Sequence, residues 1–222
     1  MNPALRASAA HVFVESLHDP VLSTEDDHHL RRVLRLRADE TITLSDGRGR
    51  WVTAELNDGV VRVAGEVCEV AETRPVTIAV SVPKGDRLEW MVQKLTELGV
   101  DRIVLVECER SVVRLRAERE TKQLDRLARI AREAAMQSRR VRLPSISAST
   151  FGAVACLAGV ALAEPGGDAL PDGVDTILVG PEGGFSAGEL AVAAPRVELS
   201  PTILRVETAA LVAAVALTAQ SR

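Results

Sequence analysis

Thr176-Ile-Leu-Val-Gly-Pro-Glu-Gly-Gly-Phe185 is the stretch on which the reading of this chain turns. The apolar run at 177–179 stops abruptly at Gly180-Pro-Glu-Gly-Gly184, and a helical pattern opens at Ser186-Ala-Gly-Glu189. That order describes a buried strand, a tight loop and a capped helix start. Glycines let a backbone turn with positive φ or come close to a ligand. A phosphate cradle gathers N–H groups and cations, whereas this loop carries the carboxylate of Glu182. The loop is therefore expected to hold something neutral or positively charged.

Working outward, strands and helices alternate after Pro75. Residues 76–82 form an apolar run, 87–98 are amphipathic and end at Gly99, and 102–108 read as a second strand. A helix is expected over 118–139 and further strands over 160–163, 176–179 and 197–199. This pattern predicts an α/β domain with a mostly parallel sheet. In such sheets ligands sit beyond the carboxyl ends of the strands. Three unusual loops lie there, at 163–167, 180–184 and 199–208, and their convergence would make a pocket.

Residues 1–71 read differently. Alternation at 11–15, strands at 40–47, 51–56 and 60–70, and the turn Asn57-Asp-Gly59 suggest a small β-barrel. His28-His-Leu-Arg-Arg-Val-Leu-Arg35 has helical spacing, with Leu30, Val33 and Leu34 on one side. Residues 71–75 are the natural linker, giving domains at 1–71 and 76–222.

The chain has 222 residues, 46% hydrophobic but without Tyr and with only 2% aromatics, so Val, Leu, Ile and Ala must fill its core. Residues 1–10 lack the apolar core of a secretory leader, and the longest apolar stretch, 209–216, is too short to span a bilayer. Cys68, Cys108 and Cys156 are scattered and without metal spacing. A reduced cytoplasmic protein is expected, with no membrane and no metal partner. Net charge is −4, yet residues 102–142 hold 12 Lys and Arg against 6 Asp and Glu. A second basic segment contains Arg31, Arg32, Arg35, Arg37, Arg48 and Arg50. Basic patches on an acidic protein suggest a polyanionic partner, a solvated face being the other reading. On the 118–139 helix, Leu124, Leu127, Ala131, Ala134 and Ala135 share an apolar face, flanked by a stripe of Arg119, Lys122, Arg126, Arg129 and Arg140 with Glu133 in it.

All four histidines, His11, His18, His28 and His29, lie in the N-terminal part. That removes Ser-His-Asp and Cys-His chemistry from within the α/β domain. Cys108 follows a strand and reads better as a buried structural cysteine than as a nucleophile. Neither a Walker motif nor a Gly-x-Gly-x-x-Gly fingerprint occurs. A glycine-rich pocket beside Arg205 and Glu207 suits group transfer in which a cofactor carries the reactivity, and S-adenosylmethionine fits: it is cationic at sulfur and has no phosphate.

The stretch 177–185 together with Ile203-Leu-Arg-Val-Glu-Thr-Ala209 resembles the SPOUT methyltransferases, and among them the 16S ribosomal RNA (uracil-N3) methyltransferases. Further matches follow in order along nearly the whole chain: 28–35, Pro83-Lys-Gly-Asp-Arg-Leu-Glu-Trp-Met-Val-Gln-Lys94, Thr96-Glu-Leu-Gly99, Glu109-Arg-Ser-Val112 and Gln137-Ser-Arg139. The chain departs from the family at Leu199-Ser200, usually Leu-Gly, and at Met136-Gln-Ser138, usually Glu-Gln-Ser. The first departure bears on the adenine loop.

The resemblance implies a PUA-like β-barrel at the N-terminus and a C-terminal α/β domain tied in a deep trefoil knot. It implies a homodimer with the helix at about 208–220 in the interface. It also implies that the knot loops bind S-adenosylmethionine largely through backbone groups. Carried onto this sequence, those are Leu162, Ala163 and Glu164, then Val179, Gly180, Pro181, Glu182, Gly183 and Gly184, then Leu199, Ser200, Ile203 and Leu204. The implied reaction is methylation of uridine N3 in the decoding region of 16S rRNA, on free rRNA or the assembled small subunit. N3 is a poor nucleophile until deprotonated, so Arg205 is the candidate to stabilise the uridinate. Glu207 is the candidate to orient Arg205 or accept the proton through water. Candidate RNA contacts are Lys84, Arg87, Lys94, Arg110, Arg114, Arg139 and Arg140, with Arg31, Arg32 and Arg35 on the barrel. Two other readings are a SPOUT enzyme of another target, such as a tRNA ribose 2′-O methyltransferase, and a non-enzymatic RNA-binding assembly factor. The intact glycine loop speaks against the last.

Overall fold

The computed structural model describes residues 2–37, 40–57, 60–114 and 117–220. Asp58 and Gly59 of the expected turn lie outside the described residues. The chain divides into two units. The first runs to Glu72 and also takes in Arg132–Leu143; the second is Thr73–Ala131 with Pro144–Arg222. The first crossing lies between Glu72 and Thr73, and Arg132–Leu143 is a second, short excursion into the first unit.

In the first unit a short helix α1 (Pro3–Ala7) precedes β1 (His11–Phe13), α2 (Thr24–His28), β2 (Thr41–Ser45), β3 (Arg50–Asn57), β4 (Val60–Val63) and β5 (Cys68–Glu69). They form a five-stranded sheet in the order β1-β2-β3-β4, with β5 also on β3. The expected strand over 60–70 is thus two short ones. After α2 comes a π-turn at His29–Val33, closed by Leu34 N–H donating to His29 O at 2.9 Å. Its wider turn buries Leu30 but leaves Val33 and Leu34 exposed, so the expected apolar side at 28–35 is reduced to one residue. Val12, Ile42, Leu44, Val52 and Ala54 fill the core.

Segment 132–143 is bonded into this unit. Arg132 donates to both Asp26 oxygens, at 2.7 and 3.1 Å, and to Phe13 O at 3.2 Å. His11 is buried, with Nε2 2.9 Å from Arg140 O and Nδ1 2.8 Å from Thr43 Oγ1. A carbonyl only accepts, so Nε2 carries the proton and Nδ1 accepts from the threonine hydroxyl. Burial drives the His11 pKa down to about 4; its bond to Arg140 opposes this and the nearby Arg139 charge adds to it.

The second unit contains β6 (Thr77–Ser81), α3 (Arg87–Glu97), β7 (Arg102–Glu107), most of α4 (Ala117–Ser138), β8 (Ser145–Thr150), α5 (Phe151–Ala155), β9 (Val160–Asp168), β10 (Thr176–Val179), β11 (Arg196–Val197) and α6 (Val206–Gln220). Six parallel strands lie in the order β11-β9-β10-β6-β7-β8, giving the expected α/β class. β6 and β10 are wholly buried because both faces are covered. Ile78 and Val80 face a cluster with Leu88, Met91, Leu95, Ala210 and Ala214, while Ala79 faces Leu162, Leu178, Phe151 and Phe185 on the other side. α3 ends at Gly99, whose φ of 97° permits the turn. The chain builds β6, β7 and β8 outward and then returns to lay β10 against the other edge of β6. The order therefore reverses between β6 and β10, where open α/β sheets place their ligands.

Candidate active site

Beyond the carboxyl end of β10 and alongside the middle of β9 lies a cavity of about 340 Å³. The 180–184 loop, residues 163–165 and residues 199–209 contribute to its lining. Ala163, Glu164, Val179, Gly180, Pro181, Glu182, Gly183, Gly184, Leu199, Ser200, Ile203 and Leu204, all singled out from the sequence, line it together. Leu162 does not; it is fully buried inside β9. Pro165, Thr202 and Val206, which belong to the three expected loops, also line the cavity, as do Phe185 and Ala209, which lie outside those loops. The segment expected as a loop at 163–167 is strand: β9 runs on to Asp168 and pairs with β11 through a register shift.

The glycines of the central loop have distinct tasks. Gly184 has φ 69°, a left-handed conformation that other side chains adopt only with strain. A Cβ on Gly180 would stand 3.0 Å from the Phe185 ring, so the ring packs beneath a backbone that has no room for a side chain. The cap expected at 186–189 is present: Glu189 N–H donates to Ser186 Oγ at 3.2 Å and Ser186 N–H to Glu189 Oε2 at 2.8 Å. Only a single 3₁₀ turn, Glu189–Ala191, follows it.

Glu109 and Arg110 hold this loop from outside. Glu109 N–H donates to Glu189 Oε1 at 2.8 Å, and Arg110 Nη1 donates to Gly183 O and Phe185 O at 3.1 Å each. Arg110, expected as an RNA contact, is thereby engaged on the loop backbone. The neighbouring Cys108 is buried, and burial, with the charge of Glu189, pushes its thiol up to about 12 against the smaller effect of the Ser111 hydroxyl. Such a thiol stays protonated and inert.

The charged groups are segregated. Among the described residues the lining carries two carboxylates, Glu164 and Glu182, and no Lys or Arg. Glu182 does not brace its own loop. Its carboxylate instead faces Lys84 Nζ at 3.9 Å and Arg87 Nη1 at 3.6 Å, both from the far side of the switch point. The same Arg87 nitrogen lies 3.4 Å from Glu207 Oε1 at the start of α6. Glu207 is buried and its Oε2 has no hydrogen-bond partner. Arg205 is exposed and has no ion-pair partner among the described residues, so Glu207 orients against Arg87 rather than Arg205.

The remaining expected RNA contacts are dispersed. Lys94 pairs with Glu97 at 2.8 Å and Arg114 with Glu107 at 3.1 Å. In the first unit Arg31 pairs with Asp27 at 2.6 Å, while Arg32 and Arg35 are exposed. Arg139, at φ 60°, donates to the carbonyls of Met136, Ser8 and Ala9, and burial lowers its pKa. Arg140 is half-buried and its carbonyl serves His11. Among the described residues no group of His, Cys, Asp and Glu could hold a metal ion, and no helix is long and apolar enough to cross a membrane.

A family model described as an RNA methyltransferase domain matches residues 71–218, and one described as an RNA methyltransferase PUA domain matches 22–59. The chain is 34% identical to the ribosomal RNA small subunit methyltransferase E of Synechocystis sp., across 86% of this chain and 70% of the relative. It is 33% identical to that of Mycobacterium bovis, across 90% and 88%. Among solved structures it resembles ribosomal RNA small subunit methyltransferase E from Neisseria gonorrhoeae bound to S-adenosyl methionine, with TM-score 0.78 and 27% identity over 95% of this chain and 97% of that one. A cavity at the switch point of a parallel sheet, walled by the 180–184 loop and the start of α6, thus lies within the segment that the methyltransferase model matches, and the chain belongs to the ribosomal RNA small subunit methyltransferase E family of RNA methyltransferases.

Proposed function

We propose that the chain transfers a methyl group from S-adenosylmethionine to N3 of a specific uridine in the decoding region of 16S rRNA. The observation that carries the cofactor assignment is the lining: two carboxylates, a run of backbone groups and apolar side chains, without a cation among the described residues. Such a surface repels phosphate and favours a ligand bearing a sulfonium and an ammonium group. The bound S-adenosyl methionine of the Neisseria gonorrhoeae relative supports the same assignment.

S-adenosylmethionine supplies an electrophilic methyl carbon; N3 takes that methyl as the carbon–sulfur bond breaks, and the N3 proton leaves. The protein must position the two reactants and stabilise the charge spread over the uracil oxygens. Arg205, exposed between the cavity-lining residues Leu204 and Val206, is the candidate donor to those oxygens. Glu207, with one oxygen free of partners, is the acceptor for the proton through water. Gly180, Pro181, Gly183 and Gly184 offer backbone groups to the cofactor, and Leu199, Ser200, Ile203 and Leu204 wall its opposite side.

The first unit, whose residues 22–59 match the PUA model, serves as the RNA-binding domain, with Arg32 and Arg35 exposed for it. Residues 73–131 and 144–222 form the SPOUT-type methyltransferase domain. A homodimer in the cytoplasm completes the reading: α6 has no polar face and leaves Val215 51% exposed, a surface suited to a second copy. Methylation in vitro of small subunits lacking the mark, followed by mapping of the product, tests the function. A methyl on uracil N3 is expected; a ribose 2′-O-methyl, or no transfer despite cofactor binding, would overturn it.

A further inference from the structure

Among the described residues the cofactor cavity lining offers no cation to phosphates, so a grip on nucleic acid needs other cations of the methyltransferase unit. Several cations of that unit are already engaged: Arg110 on loop carbonyls, Arg114 on Glu107, Lys94 on Glu97 and Arg74 on Asp175. A different site stands out. A groove of about 580 Å³ is lined by Glu89 of α3 and by Arg119, Lys122, Gln123, Arg126 and Leu127 of α4. Its one carboxylate, Glu89, is neutralised by Arg126 at 2.7 Å. Arg119 and Lys122 are exposed and have no ion-pair partner among the described residues, which leaves the groove with two uncommitted positive charges.

The spacing suits an extended ligand. Arg119, Lys122, Arg126 and Arg129 recur at intervals of three and four residues, so they form one stripe extending about 15 Å along the helix. Asp125 and Glu120 are absent from the groove lining; Glu120 lines a separate cavity. Leu127 adds apolar surface to the lining, and Gln123 adds a neutral side chain able to donate and accept. Linear cations without a fixed pocket match a chain of phosphates better than a single compact anion.

We propose that the α3–α4 groove is an RNA phosphodiester-backbone site, holding a strand that flanks the methylated nucleotide through Arg119 and Lys122. This rests on the rRNA methyltransferase reading above. The test is the double variant Arg119→Ala/Lys122→Ala in the full chain, with S-adenosylmethionine binding measured by calorimetry. RNA affinity is measured across a potassium chloride series on protein-free 16S rRNA fragments and on small subunits lacking the mark. Cofactor binding and melting temperature should match the wild type, because both side chains are exposed. RNA affinity should fall, and the slope of log affinity against log salt should shrink by about 1.5, the value for two lost phosphate contacts. An unchanged slope and affinity would overturn the groove while leaving the enzyme reading intact. A loss seen on assembled subunits but not on protein-free RNA would overturn it in favour of an acidic protein surface. Failure of the wild type to bind RNA at all would overturn the enzyme reading first and the groove with it.

Discussion

Arg87 Nη1 stands 3.4 Å from Glu207 Oε1, and this contact ties the start of α3 to the start of α6. Glu207 is almost fully enclosed, and Arg87 is the cation that stands beside its carboxylate. Glu207→Gln, close in shape, is expected to keep cofactor affinity while lowering the single-turnover methylation rate by about 10²-fold. Arg87→Ala should also cost about 2 kcal/mol of stability by leaving a buried carboxylate without its counter-charge. Rates from a Glu207→Gln/Arg87→Ala double variant that simply multiply would show that the two residues act independently, contrary to this expectation.

Arg110 is expected to matter for the cofactor rather than for RNA. Its guanidinium holds two carbonyls of the glycine loop, at Gly183 and Phe185. Arg110→Ala should weaken S-adenosylmethionine binding by about tenfold, the equivalent of roughly one net hydrogen bond to a charged donor. The salt slope of RNA binding should stay at its wild-type value. Calorimetry and salt titration measure the two effects separately.

His11 makes the first unit sensitive to acid. Its folded pKa of about 4 lies below the ordinary 6.5, so the unfolded chain binds the proton more readily. The stability that the neutral ring contributes is complete above pH 6.5 and is lost as pH falls from 6.5 towards 4, by an amount on the order of 3 kcal/mol. His11→Gln should be less stable at pH 7.5 yet show a flatter decline of melting temperature across that window. Thermal melts at half-unit pH intervals test the sign.

Arg132→Ala is expected to destabilise the first unit by about 3 kcal/mol. It strips the buried Asp26 of both guanidinium bonds and removes a donor to Phe13 O. Burial alone would raise the Asp26 pKa; the Arg132 and Ser23 bonds outweigh it and hold the carboxyl below its ordinary value. Arg132→Ala/Asp26→Asn should recover part of the loss. Denaturant unfolding of the two variants provides the comparison.

Much of the fold was legible because the short, mostly apolar runs at 76–82 and 176–179, each closed by a Pro/Gly turn signal, read as buried strands, and Gly99 ends α3 where its positive φ requires. Strand β8 was missed because Ser145-Ile-Ser-Ala-Ser-Thr150 is mostly small and polar; it is a strand through its ladder to β7 alone. Continuation of β9 through Glu164-Pro165-Gly166 contradicts local propensity and depends on the register shift against β11. The three loops that line the cavity could be read from residue type and spacing along the chain, while their individual residues came from the family resemblance. The partners of its charges could not: Glu189 reaches Glu109, Arg110 reaches Gly183, and Glu207 takes Arg87 rather than the adjacent Arg205. Each of these is set by three-dimensional proximity between residues far apart in sequence.

The excursion of Arg132–Leu143 into the first unit has a consequence for biosynthesis. The Asp26 clamp and the Arg140 carbonyl that receives His11 are supplied by residues translated some hundred positions after the strands they complete. A nascent chain cannot close this N-terminal unit when its last strand emerges; it must wait until residue 143 has left the exit tunnel. Vectorial folding is therefore out of step with domain order, and a fragment cut at the linker would lack the groups that seal its own core.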